Sequence, residues 1–540
     1  MSLEQQVLST FPSVENIPAP FALSEPLEYP HYLINGEILT WSGEMEDVYS
    51  PIEILKNGVY EKALIGRCPV LDAEVGLQAM DAAVAAYDNG MGRWPTMSVA
   101  DRIRHMEDFC SSMTEKRDEV IRLMVWEICK SAKDSAVEFD RTVEYIRDTI
   151  DALKDLDRAN SRFTIEKNIY AQIRRAPMGP VLSMGPFNYP LNETFATLIP
   201  ALIMGNPVIV KAPKHGKMLL APLVEAFRDC FPKGVVSILF GDRRLVTPIM
   251  KTGKINVLAF IGASTSADAL RVSHPHPHRL RCVLGLEAKN AAIVLEGADM
   301  ESTVQELLTG AFSFNGQRCT AIKIIFAHKS RVDELLERLC EGVGKLKVGM
   351  PFDEGVNITP LPVPGKTEYL NELVRDAEAH GARVVNEGGG TVVKSLFYPT
   401  LLYPVNSEMR VYHEEQFGPV APVASFEDER DAIDYLVQSN YGQQVAIFGK
   451  DPDQIAELID PLVNQVCRVN INSQCQRGPD VFPFTGRKDS AEGTLSVSDA
   501  LRCFSIRTLV AAKGNAGNKA LLTAILRQRQ SNFLSTDFIF

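Results

Sequence analysis

From Val181 onward the chain repeats one rhythm: a short aliphatic and β-branched run, a turn, then a helical stretch. Residues 207–211 read as a strand and 218–230 as a helix. Residues 235–239 read as a strand followed by a helix near Val246, and 256–261 as another strand. These strands are apolar throughout rather than alternating, so both of their faces need cover. Such strands separated by helices point to a parallel, doubly wound sheet. A second array begins at Ala291-Ala-Ile-Val-Leu295, with helices expected over 299–311 and 331–345. The fold class is therefore α/β, with two doubly wound domains.

The remainder frames these arrays. At 540 residues the chain exceeds one compact core. Residues 1 to about 60 are rich in proline and turn formers and read as an irregular arm with a small hairpin near 31–36. Helical periodicity runs from Ala73 to Leu156. Residues 163–174 then alternate, with Phe163, Ile165, Ile169, Ala171 and Ile173 on one face and Lys167 the exception on it. That is the pattern of one long half-exposed strand, with 504–510 as its companion. A pair of this kind outside a βα array is either an edge needing cover or an arm that meets another subunit.

A net charge of −12 opposes general nucleic-acid binding. The ten cysteines are scattered without a Cys-x-x-Cys, which fits neither a zinc site nor a disulfide framework and implies a reducing compartment. The first residues lack the basic and apolar regions of a secretory signal. The longest apolar run, near 195–210, is interrupted by Pro200, Gly205 and Pro207, so no membrane span is expected. The expectation is a cytoplasmic enzyme without a metal centre.

Cys319 lies in Phe-Ser-Phe-Asn-Gly-Gln-Arg-Cys-Thr, residues 312–320. Gly316 lets the backbone approach a ligand closely, and Arg318 supplies a charge that favours the thiolate. Open parallel sheets bind ligands at the carboxyl ends of their strands. Lys211, Gly241 and Gly262 occupy such ends, although plain turns explain the glycines equally well and no Gly-x-Gly-x-x-Gly is present.

Four segments in order carry a resemblance. They are Gly185-Pro-Phe-Asn-Tyr-Pro190, Val208-Ile-Val-Lys-Ala-Pro213, Asn315-Gly-Gln-Arg-Cys-Thr320 and Glu414-Glu-Gln-Phe-Gly-Pro-Val420. With these the chain resembles the aldehyde dehydrogenase superfamily from about residue 30 to about 512. Through Gln317-Arg-Cys-Thr-Ala-Ile-Lys and Gln476-Arg-Gly-Pro-Asp-Val-Phe-Pro-Phe484 it looks most like the non-phosphorylating glyceraldehyde-3-phosphate dehydrogenases.

The resemblance implies a cofactor-binding domain over 1–286, interrupted by an arm strand at about 160–177. A catalytic domain over 287–475, a return segment with a second arm strand over 476–512, and a tail over 513–540 follow. Cys319 would attack the aldehyde, with Asn188 as oxyanion donor. Lys211 and Glu415, followed by Phe417, would hold the cofactor riboses, and Gly262 and Ser264 would face the pyrophosphate. Lys214 stands where NAD-preferring relatives often carry a glutamate, which favours NADP while leaving NAD possible. Arg141, Arg318 and Arg477 would hold a substrate phosphate, with ion pairing inside the fold as the alternative for all three. A homodimer or homotetramer is implied.

One motif departs from the family. Most members carry Glu-Leu-Gly-Gly-Lys, whose glutamate is the general base; here the segment reads Leu284-Gly-Leu-Glu-Ala-Lys-Asn290. Alignment on Lys289 puts Gly285 in the base position. In an extended segment Glu287 would share its face and reach the same pocket. The other readings are a coenzyme A-acylating enzyme and an inactive binding subunit. Ala263 also removes a side-chain donor, leaving backbone N–H groups and Ser264 to serve the cofactor.

Overall fold

The computed structural model describes residues 2–22, 25–537 and 539. Two sheets dominate it. The first has eight strands, ordered Ala491–Glu492, Arg281–Gly285, Val257–Ile261, Val181–Met184, Val208–Lys211, Val236–Leu239, His31–Ile34 and Glu37–Thr40. The five strands from 281–285 to 236–239 are mutually parallel, and their residues are almost all buried. Chain order reverses between Val181–Met184 and Val257–Ile261. That reversal is the topological switch point where such sheets open a crevice at their carboxyl ends. The loops leaving these strands carry Asn188 and Gly262.

The second sheet has seven strands, ordered Arg383–Val384, Thr400–Tyr403, Val420–Phe426, Ile322–His328, Asn290–Val294, Gln444–Phe448 and Arg468–Ile471. All are parallel except the first. Asn290–Val294 follows Arg281–Gly285 after four residues, so that short connection joins the two sheets.

Two expectations about strands are corrected. The alternating stretch is not one strand but a hairpin, Thr164–Glu166 against Ile169–Pro177. Lys167 and Asn168 adopt φ of 46° and 62°, the paired left-handed geometry of a two-residue hairpin turn. Lys167, the exception in the apolar pattern, marks the turn. The companion strand Ser505–Lys513 pairs antiparallel with Ile169–Pro177 along its whole length. Residues 1–60 are also more regular than their composition implies. Besides the small hairpin, Met45–Lys56 and Val59–Pro69 form a long one, turned at Asn57-Gly58. Among the described residues no helix is long and apolar enough to cross a membrane.

Candidate active site

Cys319 is presented by a loop with little freedom. Helix Met300–Phe312 ends, and Phe314, Asn315 and Gly316 follow with φ of 48°, 56° and 66°. Left-handed geometry is costly for the first two. The Asn315 side chain offsets it by bonding at both ends: Nδ2 donates to Thr359 Oγ1 at 3.1 Å, and Oδ1 accepts the Thr359 N–H at 2.8 Å. A Cβ on Gly316 would lie 2.6 Å from the Gly418 carbonyl and 2.7 Å from that of Ala311, so only glycine fits. The Cys319 carbonyl accepts from Asn290 Nδ2 at 2.7 Å and Lys323 Nζ at 3.2 Å.

Burial pushes the Cys319 thiol up to about 11; Glu193 adds to the rise, while Lys323 and Arg477 oppose it. The activating cation expected in Arg318 is elsewhere. Its guanidinium donates to the Thr309 and Gly310 carbonyls at 3.2 and 2.9 Å, in the last turn of helix Met300–Phe312. Cations near helix C-termini are well placed for that role.

Asn188 does reach the nucleophile loop: its Nδ2 donates to the Gln317 carbonyl at 2.8 Å. Its own carbonyl accepts from Lys130 Nζ at 2.7 Å, and Lys130 is ion-paired with Glu138 in a fully buried site. Glu138 Oε1 accepts the N–H groups of Leu191 and Asn192, both at 3.0 Å, at the start of helix Asn192–Ile203. The Lys130 ammonium also lies 3.5 Å from the Tyr189 ring centre and 4.4 Å from that of Phe314. One buried ion pair thus fixes both the Asn188 loop and the Cys319 loop. Neither residue stood out in the sequence, because neither lies in a recognisable motif.

Across the crevice the charges are freer. Lys211, at the end of Val208–Lys211, is 8% exposed, and its ammonium has no hydrogen-bond partner among the described residues. Burial, with help from Lys217, pushes it down to about 8. Lys214 is exposed. Burial and the three lysines at 211, 214 and 217 push His215 down to about 4. Phe187 packs edge-on against both His215 and Phe417, at 6.3 and 5.8 Å, bridging loops of the two sheets.

Glu415 accepts from Lys323 Nζ at 2.5 Å and from the Ala288 N–H at 3.1 Å. Lys323, within a quoted motif but assigned no role, therefore links the Cys319 carbonyl to Glu415. Gly262 donates its N–H to the Gly285 carbonyl at 3.0 Å.

Glu287 is a further correction. The strand ends at Gly285 and residues 286–289 are irregular, so the face-sharing that would carry Glu287 to the thiol is lost. Both its oxygens accept the Ser264 N–H at 3.0 Å, and Oε1 also accepts the Ser264 hydroxyl at 3.2 Å. A carboxylate thus occupies the N-terminus of helix Ser264–Ser273, a natural anion site. The residues fit a dinucleotide in one part: Lys211, without a hydrogen-bond partner among the described residues, offers a cation on this sheet edge, whereas a pyrophosphate at the helix end would have to displace Glu287.

The three arginines are all engaged within the protein. Arg141 makes a bidentate pair with Asp480, at 2.7 Å for both bonds. Arg477, 6% exposed, is ion-paired with Glu193 and donates to Asp480 Oδ1 at 3.1 Å and the Leu495 carbonyl at 3.2 Å. Two arginines and two carboxylates form one chain there, the ion-pair alternative raised from sequence. A phosphate would compete with Glu193 and Asp480 for these guanidinium groups.

The aldehyde dehydrogenase family model matches residues 53–510. The chain belongs to the aldehyde dehydrogenase family and is an aldehyde oxidoreductase. It is 30% identical over 488 residues to the NADP-dependent glyceraldehyde-3-phosphate dehydrogenase of Streptococcus equinus, covering 88% of this chain and 97% of that protein. A malonate-semialdehyde dehydrogenase of Bacillus subtilis subsp. natto is 26% identical over 487 residues, covering 89% of this chain and 96% of that one. Among solved structures, the NADP complex of NADP-dependent glyceraldehyde-3-phosphate dehydrogenase from Bacillus halodurans C-125 superposes with a TM-score of 0.81 at 31% identity, covering 90% of this chain and all of that one.

Proposed function

We propose that the protein oxidises glyceraldehyde 3-phosphate to 3-phosphoglycerate with NADP, through a thioester on Cys319 that water hydrolyses. The observation carrying this reading is the junction at the switch point. A half-buried cysteine sits on a rigid loop that the Asn188 amide bonds at the Gln317 carbonyl, and Lys211 stands at the carboxyl edge of the same sheet. The names of the Streptococcus equinus and Bacillus halodurans proteins support both cofactor and substrate. The ten free cysteines support a cytoplasmic setting, and the exposed apolar residues Ile165, Ile506 and Leu509 of the arm support a homodimer or homotetramer.

Cys319 attacks the aldehyde carbonyl as thiolate, giving a thiohemiacetal. The second N–H of Asn188 Nδ2 and the Cys319 N–H hold the oxyanion. When bound, the nicotinamide supplies the hydride acceptor. Lys211 and Lys214 hold the phosphate-bearing end of the dinucleotide, with Lys214 drawing the 2′-phosphate. Glu415 faces a ribose, and Gly262 and Ser264 line the pyrophosphate path. A phosphate on the substrate would draw Arg141 or Arg318 from their present partners, while Arg477 stays with Glu193.

The test is to mix protein, glyceraldehyde 3-phosphate and NADP without inorganic phosphate or coenzyme A, following absorbance at 340 nm. Sustained turnover is expected. Comparable kcat/KM for unphosphorylated glyceraldehyde would remove the phosphate from the proposal.

A further inference from the structure

Hydrolysis of the thioester needs a group to deprotonate water as it attacks. Neither position considered from sequence supplies one. Gly285 has no side chain, and Glu287 is bound to Ser264. A different carboxylate stands on the helix start that is tied to the Cys319 loop, by Asn188 Nδ2 donating to the Gln317 carbonyl at 2.8 Å and by the Tyr189 ring edge-on to Phe314 at 6.0 Å. Glu193 sits in the first turn of helix Asn192–Ile203, five residues after the oxyanion donor Asn188. It is 6% exposed. Its Oε2 is paired with the Arg477 guanidinium, while Oε1 takes no hydrogen bond from the described residues. Arg477 is itself fixed by Asp480 and the Leu495 carbonyl, with its guanidinium carbon 4.7 Å from the Phe484 ring centre. The negative charge of Glu193 pushes the Cys319 thiol up and the positive charge of Arg477 opposes it, in keeping with this placement.

We propose that Glu193 is the general base of thioester hydrolysis, aligned by Arg477; this rests on the thioester reading above. Glu193 takes a proton from water as the water oxygen bonds to the thioester carbonyl carbon. Asn188 and the Cys319 N–H hold the oxyanion. Collapse breaks the C–S bond, the thiolate leaves, and the proton held by Glu193 returns to it. The product acid ionises to solvent, and no reactant beyond water is consumed.

The experiment compares wild type and Glu193→Gln by rapid mixing with glyceraldehyde 3-phosphate and NADP. The variant should retain a burst of one NADPH per Cys319, then turn over roughly 100-fold more slowly. Hydroxylamine, which cleaves thioesters without a base, should restore its turnover, and Glu193→Asp should recover part of the rate. Iodoacetamide labelling of the Cys319 peptide, read by mass, should be faster in Glu193→Gln, because removing a nearby negative charge lowers the thiol pKa.

An unchanged steady-state rate in Glu193→Gln overturns the proposal. So does a burst lost together with turnover and restored by neither hydroxylamine nor aspartate, which is the signature of a structural role. Wild-type turnover that appears only with coenzyme A also overturns it. A wild type with no burst on any aldehyde would sink the dehydrogenase reading itself, and this proposal with it.

Discussion

Around Cys319 the strong charges already have partners: Lys130 with Glu138, Lys323 with Glu415, Arg477 with Glu193 and Asp480, Arg141 with Asp480. Across the crevice, Lys211 is buried without a hydrogen-bond partner among the described residues and Lys214 is exposed, while Lys217 leans on Glu46. The first side is held in one arrangement before any ligand arrives, as a site must be when it stabilises charge that exists only in the transition state. The second side keeps cations unsatisfied, so that an anion gains most by binding there. A pair formed within the protein secures geometry, and an unpaired charge secures affinity.

Breaking the paired side gives the largest effects. Cys319→Ser should abolish NADPH formation, by about a thousandfold or more at 340 nm, since no other thiol lies on this loop. Asn188→Ala should lower kcat roughly 100-fold while leaving cofactor binding in place. Lys130→Met strands Glu138 in a dry site and should cost about 3–5 kcal/mol in denaturant unfolding, the usual penalty for half a buried ion pair.

Changes on the unpaired side should act on affinity. Lys214→Glu should reverse the preference between NADP and NAD by about tenfold in Kd, with little effect on unfolding. The pH dependence is also distinctive. The Lys211 ammonium, proposed to hold the cofactor, is lost as pH rises through about 8, so NADP affinity should weaken above that pH. Stability of the unliganded protein runs the other way. Its folded pKa lies below the unfolded value, so between about 8 and the ordinary lysine range the unfolded chain binds more protons, and the folded state gains as pH rises. Calorimetric titration at pH 7 and 9 checks the first, and urea unfolding at the same values the second. The smallest effect should come from Gly285→Ala: a Cβ there meets only ordinary contacts of 3.4–3.5 Å to Ile261 and Leu495, so stability should move by less than about 1 kcal/mol.

The parallel strands were legible because their runs are apolar on both faces, a pattern few other elements share. Cys319, Asn188, Lys211 and Glu415 were legible as motif positions, and the structure brings Asn188 and Glu415 into one bonded neighbourhood with the Cys319 loop. The turn at Lys167-Asn168 was missed because apolar residues hold odd positions on both sides of it, although the pairing of Ile165 with Tyr170 and Glu166 with Ile169 puts the two sets on opposite faces. Glu287 was misjudged because spacing along the chain was used where the backbone leaves the strand. Lys130, Glu138 and Glu193 were invisible for a further reason: each matters through a partner far away in sequence.

The sequence by itself determined two doubly wound sheets, an arm and a nucleophile loop, since periodicity and turn chemistry act over a few residues. Tertiary structure alone decided which charges pair. It gave Glu287 to a helix end, Arg318 to carbonyls of helix Met300–Phe312, and Glu193 to Arg477. The physical reason is range: a strand's pattern is written in its own neighbours, whereas an ion pair is fixed by groups that only folding brings within a few ångströms.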